Sequence, residues 1–89
     1  MEFDIDQLKK KIIYRANYRG TKEMDKLLGA FTKEYINKLN KLELQELEKL
    51  LDIDDDNLYN FFKGIKTDIK FEDNKINLLF KTYKYKGEL

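Results

Sequence analysis

TKEMDKLLGAFTKEYINK, residues Thr21 to Lys38, is the stretch on which the fold turns. Its apolar members Met24, Leu27, Leu28, Phe31 and Tyr35 recur at steps of three and four, and Leu39 continues the series. Side chains so spaced share one face of a helix, so they predict a core stripe. Thr21 can offer its hydroxyl to the N–H groups of the first turn, where Glu23 and Asp25 meet the positive end of the dipole. The spacing predicts a helix over 21–38, the longest in the chain.

Upstream, Gly20 interrupts a segment in which Ile5, Leu8, Ile12, Ile13 and Ala16 have helical spacing and Lys9, Lys10 and Lys11 fall mostly on the wet side. With Asp4 or Asp6 as cap, this predicts a helix over 4–18. Downstream, Asn40 reads as a stop. Leu44, Leu47, Leu50 and Leu51 then mark a helix over 42–51, with Glu43, Gln45, Glu46 and Glu48 on its polar side. The carboxylates from Asp52 to Asp56 suit the start of a helix over 55–63 that carries Leu58, Tyr59, Phe61 and Phe62 and is closed by Gly64. Residues 65–71 read as loop or extended chain. Asp73 is placed to cap a fifth helix over 73–83 carrying Ile76, Leu79, Phe80 and Tyr83, ahead of a frayed tail from Lys84 to Leu89. Short amphipathic helices bury their stripes only against one another. The expected fold is therefore all-α, with 1–89 forming a small single-domain bundle of about five short helices.

Composition narrows the function. Eighteen basic and seventeen acidic side chains leave a net charge of +1 in 89 residues, too little to draw in nucleic acid or an anionic membrane. Histidine and cysteine are absent, which removes the commonest general base, the thiolate nucleophile and the usual zinc ligands. The sequence MEFDIDQLKKK has no apolar signal core, and no apolar run approaches membrane-spanning length. The expected setting is the cytoplasm, bacterial if the bias toward Lys, Asn and Ile reflects an AT-rich genome.

Several constellations carry less than they promise. Asp52, Asp54 and Asp56 imitate the start of a calcium loop, but its sixth position is Asn57 where Gly is needed and its twelfth is Lys63 where a bidentate Glu is needed. Helix capping is the better account. Glu43 with Glu46, or Glu46 with Glu48, pairs carboxylates without a nucleophile or phosphate cradle nearby, so a solvated face is preferred to acid–base work. Tyr59, Phe61 and Phe62 would have to stack bases behind a row of acids, and packing suits them better. Tyr83 and Tyr85 among Lys81, Lys84 and Lys86 make a small basic, aromatic tail.

The segment YRGTKEMD, Tyr18 to Asp25, is different. It holds one of only two arginines, directly before a glycine and four residues ahead of Glu23. A local account has Gly20 and Thr21 start the helix while Arg19 pairs with Glu23 on the surface. An exposed pair of that kind is worth only about 0.3 to 0.5 kcal/mol. The alternative is a docking point, in which Gly20 lets another backbone approach while Arg19 and Glu23 flank the opening with a donor fork and an acceptor.

The series Arg19-Gly20-Thr21-Lys22-Glu23, continued by Met24-Asp25 and Leu27-Leu28-Gly29 to Phe31, resembles the Arg-Gly-x-x-Glu signature of the FAD assembly factors of succinate dehydrogenase, the SdhE family or flavinators. A second block is similar to theirs as well: Leu50-Leu51-Asp52, then Asp56-Asn57-Leu58-Tyr59, then Phe61 to Gly64. The family often has Trp at the place of Phe61 and one or two prolines around the later helices, and this chain has neither residue. The resemblance implies a five-helix factor that binds the flavoprotein subunit of succinate dehydrogenase, and of the related fumarate reductase, and promotes covalent attachment of FAD. In the family picture a histidine of the flavoprotein attacks the 8α-methyl of bound FAD; the factor is no enzyme and holds no cofactor, the FAD belonging to its partner. Carried over by position, Arg19, Gly20 and Glu23 are the partner-binding residues, Asp25 joins them, and Tyr18 and Arg15, one turn back, extend the patch. The free protein is expected to be a monomer, without nucleic acid or membrane insertion. The competing expectation is a generic helical interaction module that regulates another enzyme through the Lys-rich first helix or the tyrosine tail.

Overall fold

Each helix begins where a short polar side chain can satisfy orphan N–H groups. In the computed structural model, which describes residues 4–87, α1 (Ile5–Asn17) is capped by Asp4 and α2 (Lys22–Tyr35) by Thr21. A 3-10 turn over Ile36–Lys38 prolongs α2. α3 (Lys41–Leu51) follows Asn40, α4 (Asp55–Lys63) follows Asp54, and α5 (Lys75–Thr82) follows Asn74. Every one of these caps accepts a hydrogen bond from an N–H of the first turn, as a helix start requires. No strand occurs among the described residues, and the fold is all-helical.

Two starts differ from the sequence reading. Asn40 does not stop a helix but opens one, in a capping box where its side chain accepts from the Glu43 N–H and the Glu43 carboxylate accepts from its own, each at 2.9 Å. Asn74, rather than Asp73, caps α5, because Asn77 N–H donates to its Oδ1 at 2.8 Å. At the other end of α4 the chain turns left-handed at Gly64, φ 74°, and Ile65 N–H closes onto the Asn60 carbonyl at 2.8 Å. A Cβ would be strained in that conformation. Of the tail read as frayed, Glu88 and Leu89 lie outside the described residues.

α1 packs on α2 and α3, and α5 packs on α3 and α4. The stripe Met24, Leu27, Leu28 and Phe31 is buried, with Ile12 and Ala16 of α1, Leu44, Leu47, Leu50 and Leu51 of α3, Leu58, Ile76 and Phe80 around it. Phe31 sits at the aromatic centre, 5.3 Å from Phe80, 5.3 Å from Tyr83 and 5.2 Å from Tyr35 between ring centroids. Tyr83 thus belongs to the packing rather than to a free tail, and burial pushes its phenol above the usual value. Phe61 stacks on Phe71 at 3.9 Å, and Phe62 leans on Phe80.

The polar faces also hold corrections. Glu43 is buried, not solvated, and its carboxylate lies 2.7 Å from Lys75, which ties α3 to α5. Ile13, assigned to the inner face of α1, is 40% exposed. Lys9 reaches Asn37 and Lys11 pairs with Glu48 at 2.9 Å, so part of the Lys-rich face is spent within the chain.

Candidate docking site

The site is built on the loop from Tyr18 to Thr21, between α1 and α2, against the acidic turn from Asp52 to Asp54 that joins α3 to α4. Gly20 makes the loop possible. Its φ of 112° lies outside the wells open to L residues, so the backbone alone demands glycine here. On its outer side there is nothing: no heavy atom comes within 4 Å of where a Cβ would stand. Sequence reasoning supplied the opening but not the conformational cause.

Arg19 is the largest departure from the sequence reading. Its guanidinium is turned inward, its side chain 11% exposed, and it pairs with Asp55 rather than with Glu23. Nε donates to Asp55 Oδ1 at 2.9 Å, Nη2 to the Ile53 carbonyl at 2.6 Å and Nη1 to the Leu51 carbonyl. A planar fork meets three acceptors there, among them the Leu51 carbonyl that the last turn of α3 leaves unpaired and the Ile53 carbonyl in the turn beyond it. A surface partner one helical turn away offers far less. The Arg19 N–H in turn donates to the Asp25 carboxylate.

Of the six residues singled out, three are engaged within the chain and three face outward. Arg15 pairs with Asp52, the residue that follows α3, Arg19 grips Asp55, and Asp25 holds the loop backbone. Tyr18 is 70% exposed, and Gly20 and Glu23 are exposed beside it. The Glu23 side chain makes no hydrogen bond or ion pair with another described residue. Two neighbours were missed by the sequence reading. Tyr14, 65% exposed, stands one turn before Tyr18 with ring centroids 4.6 Å apart, and only the i, i+4 spacing could have shown it. Asp55 had no signal of its own within a run of identical acids.

An open groove of about 470 Å³ separates the start of α2 from α4, lined by Thr21, Glu23, Met24, Asp55, Asp56, Tyr59, Asn60 and Asp68. Carboxylates dominate it. The Asp54 carboxylate is held below its usual value, chiefly by the Asn57 side chain and then by the Asn57 N–H, which is the capping role preferred over calcium.

Comparison with known proteins follows the same line. Residues 10–83 match the family described as flavinator of succinate dehydrogenase. The chain is similar to proteins named succinate dehydrogenase assembly factor 2, mitochondrial: that of Dictyostelium discoideum is 32% identical over 77 residues, covering 85% of this chain and 55% of that one. The Saccharomyces cerevisiae protein (strain YJM789) is 38% identical over 64 residues, 71% of this chain and 40% of its own. The Aspergillus flavus protein is 36% identical over 56 residues, 63% of this chain and 19% of its own. The chain thus spans between about a fifth and just over half of the length of these relatives. No solved structure matches it significantly.

Proposed function

The chain belongs to the family of flavinators of succinate dehydrogenase, and we propose that it docks on the flavoprotein subunit of that enzyme and promotes covalent attachment of FAD there. One observation carries the site: Gly20 lies open on the edge of the bundle, in a conformation only glycine holds easily, beside the unpaired carboxylate of Glu23. A partner's backbone can approach where no side chain intervenes, and a carboxylate there accepts from its N–H or cationic groups. Tyr18 extends this edge as an exposed aromatic anchor, while Arg19 and Asp25 support it from within and Arg15, one turn back, ties α1 to the acidic turn.

The reaction asks little chemistry of this chain. The covalent chemistry would belong to the flavoprotein and the FAD it holds, and the factor's part is to favour the flavoprotein conformation in which attachment proceeds. A binder raises the population of one state only by its preference for that state over the other. Moving a partner from one part in a hundred to ninety-nine takes about a 10⁴-fold preference, about 5.5 kcal/mol. We assign the FAD to the partner, because the loop before α2 is flanked by Glu23, Asp25, Asp55 and Asp56, carboxylates that would repel a pyrophosphate. The fumarate reductase flavoprotein is the second client in this reading, the factor is a monomer when free, and the bacterial cytoplasm is where we place the work. No helix among the described residues is long and apolar enough to cross a membrane.

The test is co-expression with the succinate dehydrogenase flavoprotein, reading covalent flavin by in-gel fluorescence for wild type, Gly20→Arg and Glu23→Ala, with circular dichroism to establish that each variant is folded. Wild type should raise covalent flavin and the folded variants should not. Flavin attachment indifferent to the protein would sink the proposal and return attention to the Lys-rich face of α1.

A further inference from the structure

We infer that Arg19 and Asp55 form a rivet that positions the docking loop, so that the flavoprotein meets a preordered edge made jointly of Gly20 to Glu23 and the first turn of α4. The inference rests on the docking role proposed above and assigns Arg19 to the inside of the interface, as a positioning residue. Its guanidinium bridges the end of one helix and the beginning of the next: Leu51 closes α3, Ile53 lies in the turn, and Asp55 opens α4. A cation suits the negative end of α3, and a carboxylate suits the positive end of α4. Arg19, whose side chain is 11% exposed and whose Cα adjoins Gly20, meets the first preference, and Asp55, which it holds, meets the second.

The loop needs such a fastener. α1 ends at Asn17, Tyr18 leaves the helix at φ −130° and ψ 64°, and Gly20 has no side chain with which to anchor itself. Without Arg19 the segment would hang from the Asp25 carboxylate and the Thr21 cap alone. A surface ordered before it binds loses less entropy in binding, so the rivet should be read in affinity as well as in order. Arg15 with Asp52 gives an internal control on the same acidic turn. Asp52 is 65% exposed and its partner Arg15 is held within α1, ahead of the loop, so removing the pair should disturb neither the order at Gly20 nor the Arg19 bond.

The experiment uses Asp55→Ala, Asp55→Glu, Asp52→Ala and Gly20→Arg. On the free protein, ¹⁵N relaxation reads order at Gly20 and Thr21 and the Arg19 Nε–H resonance reads the bond. In wild type the order parameters should be near 0.85, falling toward 0.6 or below in Asp55→Ala with loss of the protected Nε–H signal. Asp52→Ala should leave both intact, and Asp55→Glu should restore at least part of them. With the purified flavoprotein, Asp55→Ala should raise Kd tenfold or more, and Asp55→Glu should recover much of it. Should Asp55→Ala be too unstable to assay, Asp55→Asn, which keeps an acceptor and drops the charge, takes its place with a smaller shift in the same direction. Unchanged order at Gly20 in the Asp55 variants overturns the rivet. Unchanged affinity in them while Gly20→Arg abolishes binding overturns the link from order to docking and leaves the docking site standing. If wild type itself does not bind, the docking reading fails and takes that link with it, while the order parameters still decide the rivet.

Discussion

The Nε–H of Arg19 donates to the carboxylate of Asp55, a residue 36 positions further along the chain, at 2.9 Å, and the same guanidinium reaches the carbonyls of Leu51 and Ile53. Lysine cannot reproduce this, because a point-like ammonium does not present parallel donors to three acceptors in one plane. Arg19→Lys should therefore lower stability by about 1–3 kcal/mol, the range for hydrogen bonds involving a charged group left partly unmade. In a domain of this size that is a fall in Tm of about 4–8 °C per kcal/mol, measurable by thermal denaturation. Arg15→Lys, on a pair whose acid is 65% exposed, should move Tm by no more than about 0.5 kcal/mol allows.

Gly20 separates two effects that a single substitution confuses. Any L residue there bears the cost of φ 112°, about 1–2 kcal/mol, although the space around it is empty. Gly20→Ala and Gly20→Arg should then lose similar stability in urea denaturation, whereas only arginine should block the partner. Equal loss of binding in both would mean that backbone conformation, not open space, is what the partner needs.

How much of this was legible in the sequence follows from the range of each interaction. The stripes of α2 and α3 and the Thr21 cap are local periodicities and local hydrogen bonds, and they appear where their spacing put them. Asn40 was ambiguous because asparagine suits both ends of a helix, and only the reciprocal bond with Glu43 decides. Glu43 was misread because its partner Lys75 sits on α5, and the inward turn of Arg19 was hidden for the same reason. Nothing within Asp52 to Asp56 distinguishes the acid that takes Arg19 from the one that caps α4 until the helices are packed. The exposure of Ile13 beside Tyr14 likewise depends on where α2 and α3 cover α1.

Phe31 is the residue whose loss the core should tolerate least. It is fully buried and in ring contact with Tyr35, Phe80 and Tyr83, joining α2 to α5 and the segment after it. Phe31→Ala should cost about 3–5 kcal/mol through lost burial and the cavity left behind. Small domains hold about 5–15 kcal/mol in all, so a large part of the reserve would go. Phe31→Leu should cost clearly less. Urea midpoints for the two variants check the order, and near-equal losses would argue against a specific aromatic centre.

Acid should act first through carboxyls that the fold holds ionised. Glu43 is drawn below its ordinary value of 4.5, first by the hydrogen bond from Lys75 and then by the Asn40 N–H, and Asp54 is drawn below 3.8 by the Asn57 side chain and then its N–H. A group whose folded pKa is depressed contributes stability that is fully present above its unfolded pKa and is lost as the pH falls through the folded one. The Tm contribution of these groups should therefore be flat above about pH 5.5 and decline below about pH 4.5. Glu43→Gln keeps an acceptor for the Asn40 N–H but cannot ion-pair with Lys75. Its Tm should lie below that of wild type at neutral pH and approach it as both are acidified. Parallel curves from pH 7 to pH 3 would show that the Glu43 charge adds nothing to the fold, and the Lys75 contact would then be packing alone.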